Sequence, residues 1–263
     1  MGTIQNQVAT TNNSKKSMQQ YIKSMEGEIK KALPSVITPE RFTRMVISAI
    51  SVTPKLASCT PQSFLGAMMN AAQLGLEPNT PLGQAYLIPY GNSVQFQIGY
   101  KGLIDLAYRS GEVELVQAHI VYENDDFECE FGLEPKLVHK PADKNRGEAV
   151  KVYAMFKTKS GGYGFEVMSM DEVKKHAEKF SQTAKASSSP WKTNFEEMAK
   201  KTVLKKCLKY APMKSDFVKA VVQDETVKSE IAEDMYEVHD ETIYNAEYTE
   251  VDTETGEVKA NEG

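Results

Sequence analysis

The chain has 263 residues, 41% of them hydrophobic, a formal net charge of −5 and three cysteines. That apolar content supports one sizeable core, while an odd number of scattered cysteines without a Cys-x-x-Cys pair excludes a disulfide framework or thiolate zinc site and suits reduced thiols. No apolar stretch reaches the roughly 20 residues of a membrane span, no basic-then-apolar leader opens the sequence, and the four histidines lack ligand spacing, so a soluble, cytoplasmic protein is expected.

Residues 1–14 are polar and repetitive in Thr, Asn and Gln, the composition of a disordered arm. An apolar stripe of Met18, Tyr21, Ile22, Met25, Ile29 and Leu33 predicts a helix over about 15–33, suited either to a subunit contact or to an intramolecular core. Thr38-Pro39 and Thr60-Pro61 each pair an N-cap with a proline at the first helical position, and Gly75 closes the third helix. The pattern then turns strand-like. Residues 85–88 and 94–98 flank Tyr90-Gly91-Asn92-Ser93 as a hairpin. A short helix follows over 103–109, then strands at 113–122, 127–131, 149–157 and 163–168, and a capping box at Ser169-x-x-Glu172 opens another helix. Residues 181–189 read as a small polar linker.

The segment Ser189 to Met213 holds the single tryptophan and a dense lysine run. Ser189 is a candidate cap, Pro190 the first helical residue and Pro212 the stop. Lys201, Lys205 and Lys209 fall at i, i+4 and i+8 and form one predicted row of ammonium groups; Phe195, Ala199, Val203 and Cys207 form another face that anchors the helix. A solvated lysine face explains many such runs. Trp191 reads either as a core anchor or as a base-stacking platform. A last helix is expected over about 215–223. From Asp224 to Gly263 fourteen acidic residues face two lysines, a local net of −12, which leaves +7 on Met1–Gln223. The expected layout is thus a disordered arm (1–14), a basic core (15–223) and an acidic, disordered tail (224–263). That tail can dock a partner, compete for the basic surface or simply solubilise. Helices, then a meander, then helices give an α+β fold, an antiparallel β-meander packed with helices.

Two catalytic patterns bear on the acidic and glycine-rich segments. The glycines at 91, 99 and 102 do not form a phosphate-binding Gly-x-x-x-x-Gly-Lys-Ser/Thr loop. A nuclease needs acidic metal ligands, for which Asp125, Asp126 and Glu128 or Glu172 with Lys174 are the candidates. A solvent-facing strand end accounts for the first group and helix capping for Glu172, with Mg²⁺ binding left open.

The block from Leu74 to Gly111, with its polar and aromatic residues at turns and element ends, and the Ser-Pro-Trp-Lys block from Ser189 together resemble the RecT family of phage single-strand DNA annealing proteins, over about 35–213. The resemblance implies a non-enzymatic, ATP-independent, homo-oligomeric protein (ring or helical filament) that binds single-stranded DNA, anneals it to a duplex, and works with a phage 5′→3′ exonuclease, requiring no cofactor. Annealing leaves base edges free to pair, so the expected groove grips phosphates with flexible cations. The candidates are Lys101, Arg109, Lys192, Lys200, Lys201, Lys205 and Lys206, with Asn92, Gln97, Tyr100 and Asn194 as secondary polar contacts. The alternatives are an Mg²⁺-dependent nuclease and a DNA-binding scaffold protein that does not anneal.

Overall fold

The computed structural model describes residues 18, 20–33, 37–181, 189–212 and 215–240. The expected arm, the 182–188 part of the linker and the chain beyond 240 lie outside these residues. Helical residues 20–24 lead into α1 (Glu26–Ala32). The apolar stripe turns inward: Met18, Ile22 and Ile29 are buried, and Tyr21, Met25 and Leu33 pack on the same core. Of the two expected roles for this segment, the described residues take the intramolecular one.

Both threonine–proline signals start helices. In α2 (Pro39–Val52) the Thr38 hydroxyl accepts the Arg41 N–H at 3.2 Å. In α3 (Pro61–Gln73) the cap instead pairs Thr60 with Ser63 at 2.7 Å, hydroxyl to hydroxyl. α3 is buried almost all round, and Gly75 leaves it at a positive φ of 63°, as a C′ glycine does. β1 (Ala85–Tyr90) and β2 (Ser93–Ile98) form the expected hairpin, registered from Ala85↔Ile98 to Tyr90↔Ser93. α4 begins earlier than expected, spanning Tyr100–Arg109, because Gly99 is already its cap.

β3 (Val113–Tyr122), β6 (Ala149–Thr158) and β7 (Tyr163–Ser169) form an antiparallel sheet in that order. β4 (Asp126–Glu130) and β5 (Lys136–Lys140) make a separate hairpin. Its apolar side lies over the sheet, with Phe127 5.7 Å from Tyr153 and Phe131 5.3 Å from Phe165, centroid to centroid. The Ser169–Glu172 capping box forms in both directions and opens α5 (Met170–Phe180).

The lysine helix is in two pieces, α6 (Pro190–Thr193) and α7 (Phe195–Cys207), broken at Asn194, whose φ and ψ are −140° and 49°. α7 packs across the other face of the sheet, where Val152, Ala154 and Phe156 meet the fully withdrawn Ala199, Val203 and Cys207. The anchoring face therefore forms, with Phe195 partly exposed and Trp191 packed against it at 6.2 Å.

After α8 (Ser215–Val222) the chain does not leave the body. Phe96 donates to Thr226 at 2.9 Å and Glu225 to Phe96 at 2.8 Å, which closes the free edge of β2. Met235 is buried, and the Gln73 side chain binds the carbonyls of Ala232 and Glu233 at 2.9 and 3.0 Å. The buried Lys228 ammonium donates to the carbonyls of Met235 and Val238. Residues 224–240, expected to open the acidic tail, thus pack against the body. Acidic composition suggested a tail, yet Val227 and Met235 supply enough apolar surface to hold the segment down.

Candidate nucleic-acid interface

The lysine row is only partly open: Lys209, past the end of α7, is exposed, but Lys201 and Lys205 turn inward. Lys201 is 3% exposed, and its ammonium lies 2.9 Å from Asp224 and 3.1 Å from Glu225. Lys205 binds the other Asp224 oxygen at 2.6 Å. The Ile98 amide also donates to Asp224, at 2.7 Å. Burial opposes the Asp224 charge, but Lys201 and Lys205 outweigh it and hold its pKa below the usual carboxylate value. Burial likewise opposes the Lys205 ammonium, and Asp224 and Glu225 reverse that effect and raise its pKa. In this arrangement both lysines bind carboxylates of their own chain. Gln97 is drawn into the same cluster, 8% exposed and 3.5 Å from Glu225.

A different set of cations reaches the surface, where α4 starts. The 83–84 segment lies against that helix so closely that a Cβ at Gly99 or Gly102 would collide with the carbonyl of Gly83 or Gln84. These glycines permit close backbone packing. Lys101 is exposed beside them, its chain running past Gly83 and Tyr86. Tyr100, next in line, lies near the Glu197 carboxylate. Burial first, then Glu197, raises the pKa of both Tyr100 and Tyr86. Lys200 of α7 extends over the Tyr100 ring at 5.4 Å and contacts Glu197 at 3.5 Å. Three expected residues, Tyr100, Lys101 and Lys200, are thereby brought together from two elements.

The remaining candidates lie apart from this cluster. Arg109, at the far end of α4, donates to the Leu74 carbonyl at 2.8 Å and pairs with Asp105 at 3.0 Å. Lys206 follows Lys200 by six residues, about 9 Å along the axis and on another side of the helix. It acts there on Glu172 and on His176, whose pKa is lowered by burial first and Lys206 next. Lys192 is exposed on α6, and Asn194 accepts from the Thr193 hydroxyl at 2.9 Å in the helix break. Asn92 sits at the hairpin tip, its carbonyl bound by the Thr60 amide at 2.7 Å.

Beside Lys200 the structure opens a pocket of about 360 Å³ that sequence reasoning did not find. Its walls come from the 118–122 part of β3, from His139, Pro141 and Arg146, from Tyr153 of β6, and from Glu196 and Lys200 of α7. Asp125 organises one wall from beneath, with no exposed side-chain surface. It accepts from Arg146 at 2.5 and 2.9 Å, from His139 at 3.0 Å, and from the amides of Tyr122 and Ala142, each at 2.9 Å. The Arg146 bonds above all hold its carboxyl well below the usual range. The expectation of a solvent-facing strand end fails for Asp125, since its oxygens are saturated inside the protein. The Arg146 plane stacks at 4.3 Å on Tyr122, whose hydroxyl donates to Glu196 at 3.3 Å.

The RecT family model matches residues 40–242. The chain belongs to the RecT family. It is 39% identical over 238 residues to Protein RecT of Escherichia coli (strain K12), across 87% of this chain and 85% of that protein. It is also 30% identical over 202 residues to the uncharacterized protein YqaK of Bacillus subtilis (strain 168), across 73% of this chain and 66% of the relative. RecT-family membership makes this a DNA recombination protein of the single-strand annealing type.

In this RecT-family chain the acidic groups considered for a nuclease have structural partners. Asp126 pairs with Lys140 at 3.2 Å and Glu128 with Lys136 at 2.7 Å. Glu172 accepts from the amide and hydroxyl of Ser169 at 2.7 and 2.9 Å. Among the described residues, no group of three or more His, Cys, Asp or Glu side chains is arranged to hold a metal ion. No described helix is long and apolar enough to cross a membrane.

Proposed function

We propose that this protein binds single-stranded DNA and pairs complementary strands as a homo-oligomer, without ATP and without a covalent step. The observation that carries the reading is the exposed Lys101 beside Tyr100 and Lys200, a cationic and aromatic surface on closely packed, rigid elements. Flexible ammonium groups bind phosphates of any sequence and leave base edges available. Lys192 on the neighbouring helix adds a further charge. Lys201, Lys205 and Gln97 act instead as internal struts, while Arg109, Lys206, Asn92 and Asn194 make outlying contacts with the strand. A single protomer covers few nucleotides, so a row of copies is what stabilises a growing duplex. The site of action is the bacterial cytoplasm, and a phage 5′→3′ exonuclease supplies the strand. No cofactor is required, and Mg²⁺ acts only as a counterion.

A labelled single strand incubated with the protein and Mg²⁺, with and without its complement, tests this reading. Duplex without shortened products is expected. Cleavage would favour a nuclease, and binding with no faster pairing would favour a scaffold protein.

A further inference from the structure

The pocket beside Lys200 lies on the open edge of β3. Thr158 donates to Gly162 across the β6–β7 turn, so the even-numbered residues of β6 bond to β7. The odd-numbered ones then bond to β3, through Gln117, His119 and Val121. The alternate residues Val116, Ala118 and Ile120 point their backbone groups away from the sheet. Val116 uses its N–H on the Tyr108 hydroxyl at 3.1 Å. Among the described residues, Ala118 and Ile120 have no protein partner on that side. Each thus offers a donor and an acceptor at the pocket wall.

Aromatic faces stand around this edge. His119 lies 5.4 Å from Tyr153, and His139 meets the same ring edge-on at 5.5 Å. The pocket's charges are largely neutralised within the protein: Arg146 by Asp125, and Lys200 in part by Glu197. Glu196 contributes a negative charge, tied to the Tyr122 hydroxyl. Burial first, then His139 and Lys200, lowers the His119 pKa and so favours the neutral ring. A near-neutral, ring-lined pocket with paired backbone donors and acceptors suits a heteroaromatic base better than a phosphate. Its volume is at the small end of the roughly 300–1,000 Å³ of ligand sites, the scale of one nucleoside.

We propose that this pocket takes one nucleobase turned out of the bound strand, with the exposed His119 ring, backed by Tyr153, as its stacking face and the β3 edge as its hydrogen-bonding partner. The inference rests on the proposed strand-binding surface, because Lys200 belongs to both and a strand crossing Tyr100 passes the pocket mouth. Removing one base from the stack costs a few kcal/mol, which the new stacking and hydrogen bonds offset. The remaining bases keep their edges free, and the captured base fixes the strand against sliding.

The chain has four histidines, so imidazole proton resonances report directly on the pocket. The full protein is titrated with oligo(dT) and with a base-free deoxyribose-phosphate oligomer of equal length. We expect the His119 and His139 signals to move with oligo(dT) and to stay in place with the base-free oligomer, although both bind. The exposed His119→Ala variant should weaken oligo(dT) binding roughly tenfold, the scale of one lost base–aromatic contact, with no change for the base-free oligomer. Equal shifts with both oligomers, or none while oligo(dT) binds, would overturn the base pocket and leave the phosphate surface intact. If neither oligomer binds, the strand-binding reading fails, and this inference with it.

Discussion

Lys201 and Asp224 lie 23 residues apart in the chain and meet at 2.9 Å, with 4% and 0% of their side-chain surfaces exposed. The pair, with Lys205, clamps the segment after α8 onto α7 and β2. Breaking one side of a buried ion pair leaves an uncompensated charge and costs about 3–5 kcal/mol. Asp224→Ala should therefore lower unfolding stability by about that much. Urea denaturation measures it, and a loss below about 1 kcal/mol, the scale of a surface pair, would contradict the clamp.

Acid should act through the same groups. Asp224 and Asp125 both have folded pKa values below the 3.8 of an unperturbed carboxyl. A depressed carboxylate stabilises the fold fully above its unfolded pKa, and the contribution is lost as pH falls through the folded value. Stability should be level above about pH 5 and decline from near pH 4 downward. Asp125→Asn removes one such titration and should flatten the decline. Melting temperatures collected from pH 2 to 7 decide it; an unchanged acid slope in the variant counts against the role given to Asp125.

Salt separates surface cations from internal ones. Each phosphate contact on a single strand contributes about −0.7 to the slope of log K against log salt. Lys101→Ala and Lys200→Ala should each make the slope shallower by about 0.7, whereas Lys201→Ala should lower stability and leave the slope alone. Fluorescence anisotropy at several salt concentrations provides the slopes. A slope change for Lys201→Ala equal to that for Lys101→Ala would mean that Lys201 reaches DNA.

Glycine spacing can be tested without altering charge. A Cβ at Gly102 meets the Gln84 carbonyl, whereas one at Gly27 in α1 meets nothing within 4 Å. Gly102→Ala should cost about 1–3 kcal/mol through overpacking and weaken DNA binding by shifting Lys101. Gly27→Ala should be neutral or stabilise by about 0.5–1 kcal/mol. Chemical denaturation of both variants checks the contrast, and a Gly102→Ala protein as stable as the parent would deny the close packing.

Much of this fold was legible because local signals dominate it. The caps at Thr38 and Ser169, the Gly91 turn and the alternation of β3 and β6 each act within a few residues. β5 was missed because Lys136 and Lys140 bracket a short Leu-Val-His run that becomes a strand only by pairing with β4. The lysine spacing on α7 did place Lys201 and Lys205 on one side, but spacing does not say what covers that side. The cover is Asp224, which by charge alone belongs with the acidic tail. The pocket was invisible for a similar reason: its walls are joined by long-range contacts, and Asp125 resembles an exposed turn acid until Arg146 and His139 are seen around it.

The central claim is that Lys101 and Lys200 hold single strands in a form ready to pair. Its most direct test is the rate at which a fluorophore strand is quenched by its complement, measured without nucleotide for the parent and for the Lys101→Ala/Lys200→Ala double variant. The account predicts clear acceleration by the parent and at least about a tenfold loss in the double variant, given two phosphate contacts removed. Pairing no faster than with protein-free strands, or a double variant as fast as the parent, would contradict it.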